Sequence, residues 1–135
     1  MSPQSDAPEA IVADYYRALA AGDMASLRTM MVPGSYVMTL EAYGLRRALT
    51  DPVFKVLLKQ IETDASALEK VEKTISLMLR QDNGETARIA DIWTETLGPD
   101  RCAVRYTEAG IPKKLSFSKT EAGWKIDYYA GRKLA

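Results

Sequence analysis

"RCAVRYTEAGIPKKLSFSKTEAGWKID", Arg101 to Asp127, alternates apolar and polar residues in three short runs separated by turn residues. Cys102, Val104 and Tyr106 fall on one side of the first run, with Ala103 and Arg105 opposite. Gly110 and Pro112 mark a turn. Leu115 and Phe117 then share a face against lysines and serines, and Trp124, Ile126 and Tyr128 share one in the last run. A period of two is the signature of a strand with one face buried, and short polar connections make such strands antiparallel neighbours.

Upstream, "TARIADIWTETL" is a longer alternating segment ended by Gly98-Pro99-Asp100. Before it, "TISLMLR" also alternates, and Asn83-Gly84 in "QDNGE" has the composition of a tight hairpin turn. The expectation is a sheet of four or five antiparallel strands that begins near Thr74.

The N-terminal half has a different period. Asp6 and Glu9 have capping-box spacing, with Pro8 in the first turn, so a helix starts near Ala7. Ile11, Tyr15, Ala18 and Leu19 form its apolar stripe, widened by Val12 and Tyr16. Gly22 suits the left-handed residue that closes a helix, and Asp23 suits the cap of the next, which carries Leu27, Met30 and Met31 up to Pro33-Gly34. Residues 35 to 50 fit either a short strand or a helix. Asp51-Pro52 opens another helix, with Val53, Val56, Leu57 and Ile61 on one face. Asp64 caps a further turn or helix to about Lys70, where the charges of "LEKVEK" form a solvated face. Helices followed by an antiparallel sheet make an α+β protein with helices covering one sheet face. With no repeat and no linker, residues 1–135 form one domain, with 1–6 expected to be flexible.

Composition narrows the function. Of 135 residues, 47% are hydrophobic and 27% charged, the balance of a globular chain. Eighteen basic residues equal eighteen acidic ones, so no strongly basic nucleic-acid surface is expected. No long apolar run suggests a membrane partner, and "MSPQSDAPEA" lacks the pattern of a signal peptide. The expectation is a cytoplasmic protein, or a periplasmic one if a leader had been removed. The single cysteine, Cys102, allows no intrachain disulfide and reads as a small core residue. The chain contains no histidine. That excludes Ser-His and Cys-His nucleophiles and the usual zinc sites, and neither metal nor cofactor is expected.

Two stretches resemble the nuclear transport factor 2-like superfamily, including its ketosteroid isomerase-like and SnoaL-like members. "YYRALAAGDMASL" is similar to the opening helix pair, and "KLSFSKTEAGWKID" to the closing hairpin. The resemblance implies a cone-shaped α+β barrel, in which N-terminal helices pack in the concave face of a strongly curved sheet and leave a pocket. It also implies homodimers formed through the outer sheet face. The scaffold hosts enzymes, binding proteins and interaction modules, so it does not settle the activity.

Aligned on Gly22-Asp23, Tyr15 falls where ketosteroid isomerases carry their first-helix tyrosine. The position of their aspartate base falls near Thr39, which is no base at neutral pH. Glu41 is two residues further on. Asp91 shares a face with Ile89 and Trp93 by alternation and is the candidate inward carboxyl group. The weak catalytic candidates are therefore Tyr15, Asp91 and Glu41. The histidine-dependent dehydratases and cyclases of the superfamily cannot be carried over.

Three readings stay open. The first is a protein that binds an apolar or amphipathic small molecule, with Tyr15, Tyr16, Asp91, Trp93, Tyr106 and Tyr128 as lining. The second is an isomerase- or lyase-like enzyme that moves a proton with Asp91 or Glu41 and Tyr15. The third is a dimerising module whose interior is filled by side chains. Beside each stands a plain alternative: core tyrosines with satisfied hydroxyls, and exposed or ion-paired carboxylates.

Overall fold

The structure is a computed structural model that describes residues 7–82 and 88–130. Five helices precede a four-stranded antiparallel sheet: α1 Pro8–Ala21, α2 Met24–Met30, α3 Pro33–Thr50, α4 Pro52–Lys59, α5 Ala65–Asp82, then β1 Ile89–Gly98, β2 Arg101–Glu108, β3 Ile111–Thr120 and β4 Gly123–Ile126. The sheet is an open meander in chain order. The chain is therefore α+β, as its two halves of different period indicate.

Local signals place most helix ends. Gly22 takes a left-handed conformation (φ 64°) and closes α1, its N–H bonding back to Leu19. A Cβ at this position would lie 2.5 Å from the Ser76 backbone oxygen, so only glycine lets α1 end this close to α5. The Asp23 carboxylate accepts from the Ser26 N–H and caps α2. Pro33 starts α3 as well as following α2, because a proline needs no partner for its missing N–H at the first helical position. Residues 35 to 50, open to two readings, belong to this 18-residue helix. Asp51 caps α4 through the Phe54 N–H, and Asp64 caps α5 through Ser66 and Ala67.

Three expectations are corrected. The segment "TISLMLR" is helix, not strand: Ala67, Val71, Ile75 and Leu79 recur every four residues and are all buried, while Leu77, which the alternation would bury, is exposed. On α4 the buried residue is Phe54, which fits against Gly44 of α3, and Val53 and Val56 face outward. Lys55 and Lys59 mark one polar side of α4, and the Asp51 cap together with the contact to Gly44 turns Phe54 inward and leaves Val53 and Val56 exposed. On β1 the alternation breaks. Ala90 pairs with Thr107 and Trp93 with Arg105, so Asp91 and Ile92 oppose Tyr106 alone. This is a β-bulge with Asp91 at φ 55°, a left-handed conformation that aspartate tolerates better than most residues. The expected flexibility of residues 1–6, the Asp6 part of the capping box and the Asn83-Gly84 turn lie outside the described residues. Glu9, the other half of that box, instead accepts a hydrogen bond from the Thr94 hydroxyl, 2.6 Å away on β1.

The apolar faces of β2 to β4 turn inward as their alternation indicates, although Ala103 and its partner Ser116, on the opposite face, are buried as well. Cys102, Val104, Tyr106, Leu115, Phe117 and Ile126 enter the core with the α1 stripe, Leu27, Leu40 and the α5 stripe. Helix α1 contacts β1 and β2, and α2 contacts β4. Among the described residues no helix is long and apolar enough to cross a membrane.

Candidate functional site: a tyrosine cluster between helices and sheet

The α1 stripe brings Tyr15 and Tyr16 to β2 and to the segment after β4, and five tyrosines gather there. The Tyr16 ring stands edge-on to Tyr15 (centroids 5.1 Å apart) and to Tyr106 (5.8 Å). Such edge-to-face packing is favourable for aromatic quadrupoles and fixes where the hydroxyls point.

The hydroxyls form two short chains. Tyr16 donates to Glu108 Oε1 at 2.9 Å, and its oxygen lies 2.7 Å from that of Tyr106. A phenol has one proton, and an ionised carboxylate can only accept, so Tyr106 donates to Tyr16 and Tyr16 to Glu108. The second chain is deeper. Tyr128 Oη lies 2.8 Å from Thr39 Oγ1, which donates to the Ser35 carbonyl at 2.9 Å. Thr39 uses its proton on that carbonyl, so Tyr128 donates to Thr39. The Tyr128 N–H, in turn, donates to the Ser35 hydroxyl at 3.0 Å and holds the segment after β4 against α3.

Burial pushes the Tyr15 phenol far above its ordinary pKa, and the neighbouring Tyr128 and Tyr43 hydroxyls push it further. Tyr16 is raised far as well, first by burial and then by its bonds to Tyr106 and Glu108. Tyr43 and Tyr106 are raised mainly by burial. All four stay neutral hydroxyls at physiological pH, able to donate and accept but not to act as bases. Glu108 is half-buried, and among the described residues no cation pairs with it.

Of the residues singled out in the sequence, Tyr15, Tyr16, Tyr106 and Tyr128 come together. Trp93 does not: the bulge turns it outward, where it is 52% exposed with the Arg105 guanidinium 5.7 Å from its ring centre. Asp91 is exposed within the bulge and its carboxylate lies 3.4 Å from the Thr107 hydroxyl, so it is not an inward carboxyl group. Glu41 is exposed on α3. Neither acid joins the hydroxyl network, and the pairing of Tyr15 with Asp91 or Glu41 as donor and base is not assembled.

Sequence reading missed Tyr43 and Glu108. Tyr43 lies one helical turn after Thr39 and is visible only once residues 35 to 50 are helix. Glu108 lies two residues after Tyr106 on the same strand, so alternation does place both on one face. Thr39, which is no base at neutral pH, is buried and receives the Tyr128 hydroxyl.

Two surface grooves lie elsewhere. One, of about 450 Å³, runs between the α1–α2 junction and α5 past Asp23, Glu72, Ser76 and Arg80. The other, of about 410 Å³, lies along Asp14, Arg17 and Ser26. None of the clustered tyrosines lines either groove. Among the described residues no three of the Cys, Asp and Glu side chains form a metal-binding group. Comparison with known proteins finds no matching family model, no matching curated protein and no matching solved structure.

Proposed function

We propose that the protein binds a small apolar or amphipathic molecule at the tyrosine cluster, on a scaffold of the nuclear transport factor 2-like type. The observation that supports this reading most is the chain from Tyr106 through Tyr16 to Glu108. It gathers two hydroxyls and an unneutralised carboxylate at the half-buried end of an aromatic wall. Tyr15 and Tyr106 are buried, so an apolar body would pack on the partly exposed rings of Tyr16, Tyr43 and Tyr128 while its polar end meets the hydroxyls, the common division of labour in small-molecule sites. Glu108 gives a preference for a ligand whose polar end carries a donor or a positive charge. Proton-transfer catalysis is the weaker reading, because the phenols are held neutral and neither Asp91 nor Glu41 faces them.

The test is native mass spectrometry on the protein isolated from its source organism. A bound small mass is expected in the unaltered protein and is expected to be absent from the Tyr16→Phe, Glu108→Gln double variant. A mass retained by that variant, or no bound mass at all, refutes the reading.

A second reading concerns the outer sheet face. Trp93 is exposed there beside Arg105, whose guanidinium also bonds Glu95 at 3.0 Å. An exposed aromatic with both charge signs around it is self-complementary about a twofold axis, which favours a homodimer through this face. Sedimentation velocity on the protein and on Trp93→Ser tests it: the unaltered chain is expected as a dimer and the variant as a monomer.

A further inference from the structure

The protons of the tyrosine cluster restrict what can meet it. Tyr106 donates to Tyr16 and Tyr16 to Glu108, so both phenol protons are engaged within the chain. Only acceptors stay open along it: lone pairs of the two phenol oxygens and of the Glu108 carboxylate. The deeper chain is engaged in the same way, since Tyr128 donates to Thr39 and Thr39 to the Ser35 carbonyl. Tyr15 adjoins Tyr43 and Tyr128 in the interior. A molecule that reaches Tyr106, Tyr16 and Glu108 therefore meets a row of acceptors that carries one negative charge.

The same molecule contains a completed pair of this kind. Tyr36 donates to Glu72, and Arg28 binds the same carboxylate oxygen at 2.5 Å with its guanidinium 5.6 Å from the centre of the Tyr36 ring. One cation there neutralises the carboxylate and lies over the phenol that donates to it. At Tyr16 and Glu108 no described residue supplies that cation. The candidates nearby are Lys113, which faces Tyr106 across β2 and β3, and Arg88, which precedes the Glu108 partner Ile89 on β1. Both are exposed, and neither forms an ion pair with a described residue. Fixing either long side chain on Glu108 costs rotamer entropy that an exposed ion pair barely offsets.

We propose that the ligand is an amphipathic amine, whose ammonium group takes at Glu108 and Tyr16 the place that Arg28 takes at Glu72 and Tyr36. The proposal rests on the small-molecule reading above and names the chemical class of that molecule. An ammonium group is positively charged and offers donors only, the complement of a negatively charged row of acceptors. A carboxylate or phosphate head would bring acceptors to acceptors and like charge to like. A neutral hydroxyl could donate once but would leave the carboxylate charge uncompensated. The apolar body of the amine packs on the partly exposed rings of Tyr16, Tyr43 and Tyr128. A metal ion lacks its ligands, since among the described residues no three Cys, Asp and Glu side chains group together.

The test is isothermal titration calorimetry of the full chain at neutral pH with octylamine, 1-octanol and octanoate, which share a tail and differ in the head group. Octylamine is expected to bind roughly tenfold more tightly than octanol, and octanoate not at all. Glu108→Gln is expected to bring octylamine down to the level of octanol, and circular dichroism checks that the variant keeps its fold. Lys113→Gln is expected to leave octylamine binding in place or to tighten it, because it removes a competing cation. The proposal is overturned by no octylamine binding, by octanol bound as tightly as octylamine, or by octylamine binding that Glu108→Gln leaves unchanged. Octylamine binding weakened by Lys113→Gln also overturns it. Octanol bound as tightly as octylamine removes the amine and keeps the small-molecule reading. No binding of any probe, together with no bound mass in the isolated protein, removes both.

Discussion

Two tyrosines in this molecule donate to a glutamate, and the two pairs are built differently. Tyr36 of α3 donates to Glu72 of α5, and the same carboxylate binds Arg28 of α2 at 2.5 Å. The Arg28 guanidinium also lies over the Tyr36 ring, 5.6 Å from its centre. Tyr16 donates to Glu108, which pairs with no cation among the described residues, and its oxygen accepts from Tyr106 instead. The first pair ties three helices together with its charge cancelled. The second leaves a half-buried carboxylate whose hydrogen-bonding capacity is only partly used. A group arranged purely for stability resembles the first, because an uncompensated charge adds a desolvation cost without return. The contrast is why Glu108, and not Glu72, enters the functional proposal.

Alkaline titration should affect both pairs most. Tyr15, Tyr16, Tyr36, Tyr43 and Tyr106 are each raised above the ordinary phenol value, with burial the first cause in every case. A phenol whose pKa is higher folded than unfolded contributes its full stability below the unfolded value of about 10 and loses it as pH rises beyond. The fold should therefore weaken above pH about 10, and these phenolates should appear together with loss of the far-ultraviolet circular dichroism signal. Their ionisation near pH about 10 with the fold intact would show that neither cluster is as closed as described.

The next effect separates the two sites. Tyr36 is almost fully buried, so Tyr36→Ala should cost about 3–5 kcal/mol in urea unfolding. Tyr16 is half-buried, and Tyr16→Ala should cost about 1–2 kcal/mol. Equal costs would break the comparison, making Tyr16 as structural as Tyr36. A smaller difference is expected at the carboxylates. Glu72→Gln should cost about 1–2 kcal/mol, because it removes the charge partner of Arg28, whereas Glu108→Gln should cost less than about 1 kcal/mol.

How far these sites could be read beforehand depends on how many periods a segment fits. β2 to β4 fit only a period of two, and their inward faces follow from it. Gly22, Asp23, Asp51 and Asp64 mark helix ends by local chemistry that tertiary contacts do not override. α5 fits both periods: Ile75, Leu77 and Leu79 alternate, while Val71, Ile75 and Leu79 also recur every four residues. Packing against α1, α3 and α4, with the Asp64 cap at its start, selects the helix. The site residues divide in the same way. Tyr15, Tyr16 and Tyr106 lie on elements with unambiguous periods and meet, and Tyr128 joins them from the turn just past β4. Asp91 lies in, and Trp93 just after, a bulge that no pattern announces, and one inserted residue moves every later side chain to the opposite face.

The finest test asks whether the Tyr106, Tyr16 and Glu108 chain acts as a unit. Tyr16→Phe removes the only proton that Glu108 receives from a described side chain, and it leaves the Tyr106 hydroxyl without its acceptor. Glu108→Gln keeps the shape but replaces a charged acceptor with a neutral one. If the chain is a preorganised polar site, each single change costs less than about 1 kcal/mol, with a coupling of a few tenths in a double-mutant cycle. The half-buried end can rehydrate, which keeps the cost low. A coupling well above about 1 kcal/mol would place this chain with the Tyr36–Glu72–Arg28 group as internal bracing. Additive, near-zero costs together with a lost bound mass would sharpen the division: one tyrosine–glutamate pair holds helices together, and the other is held ready for a partner.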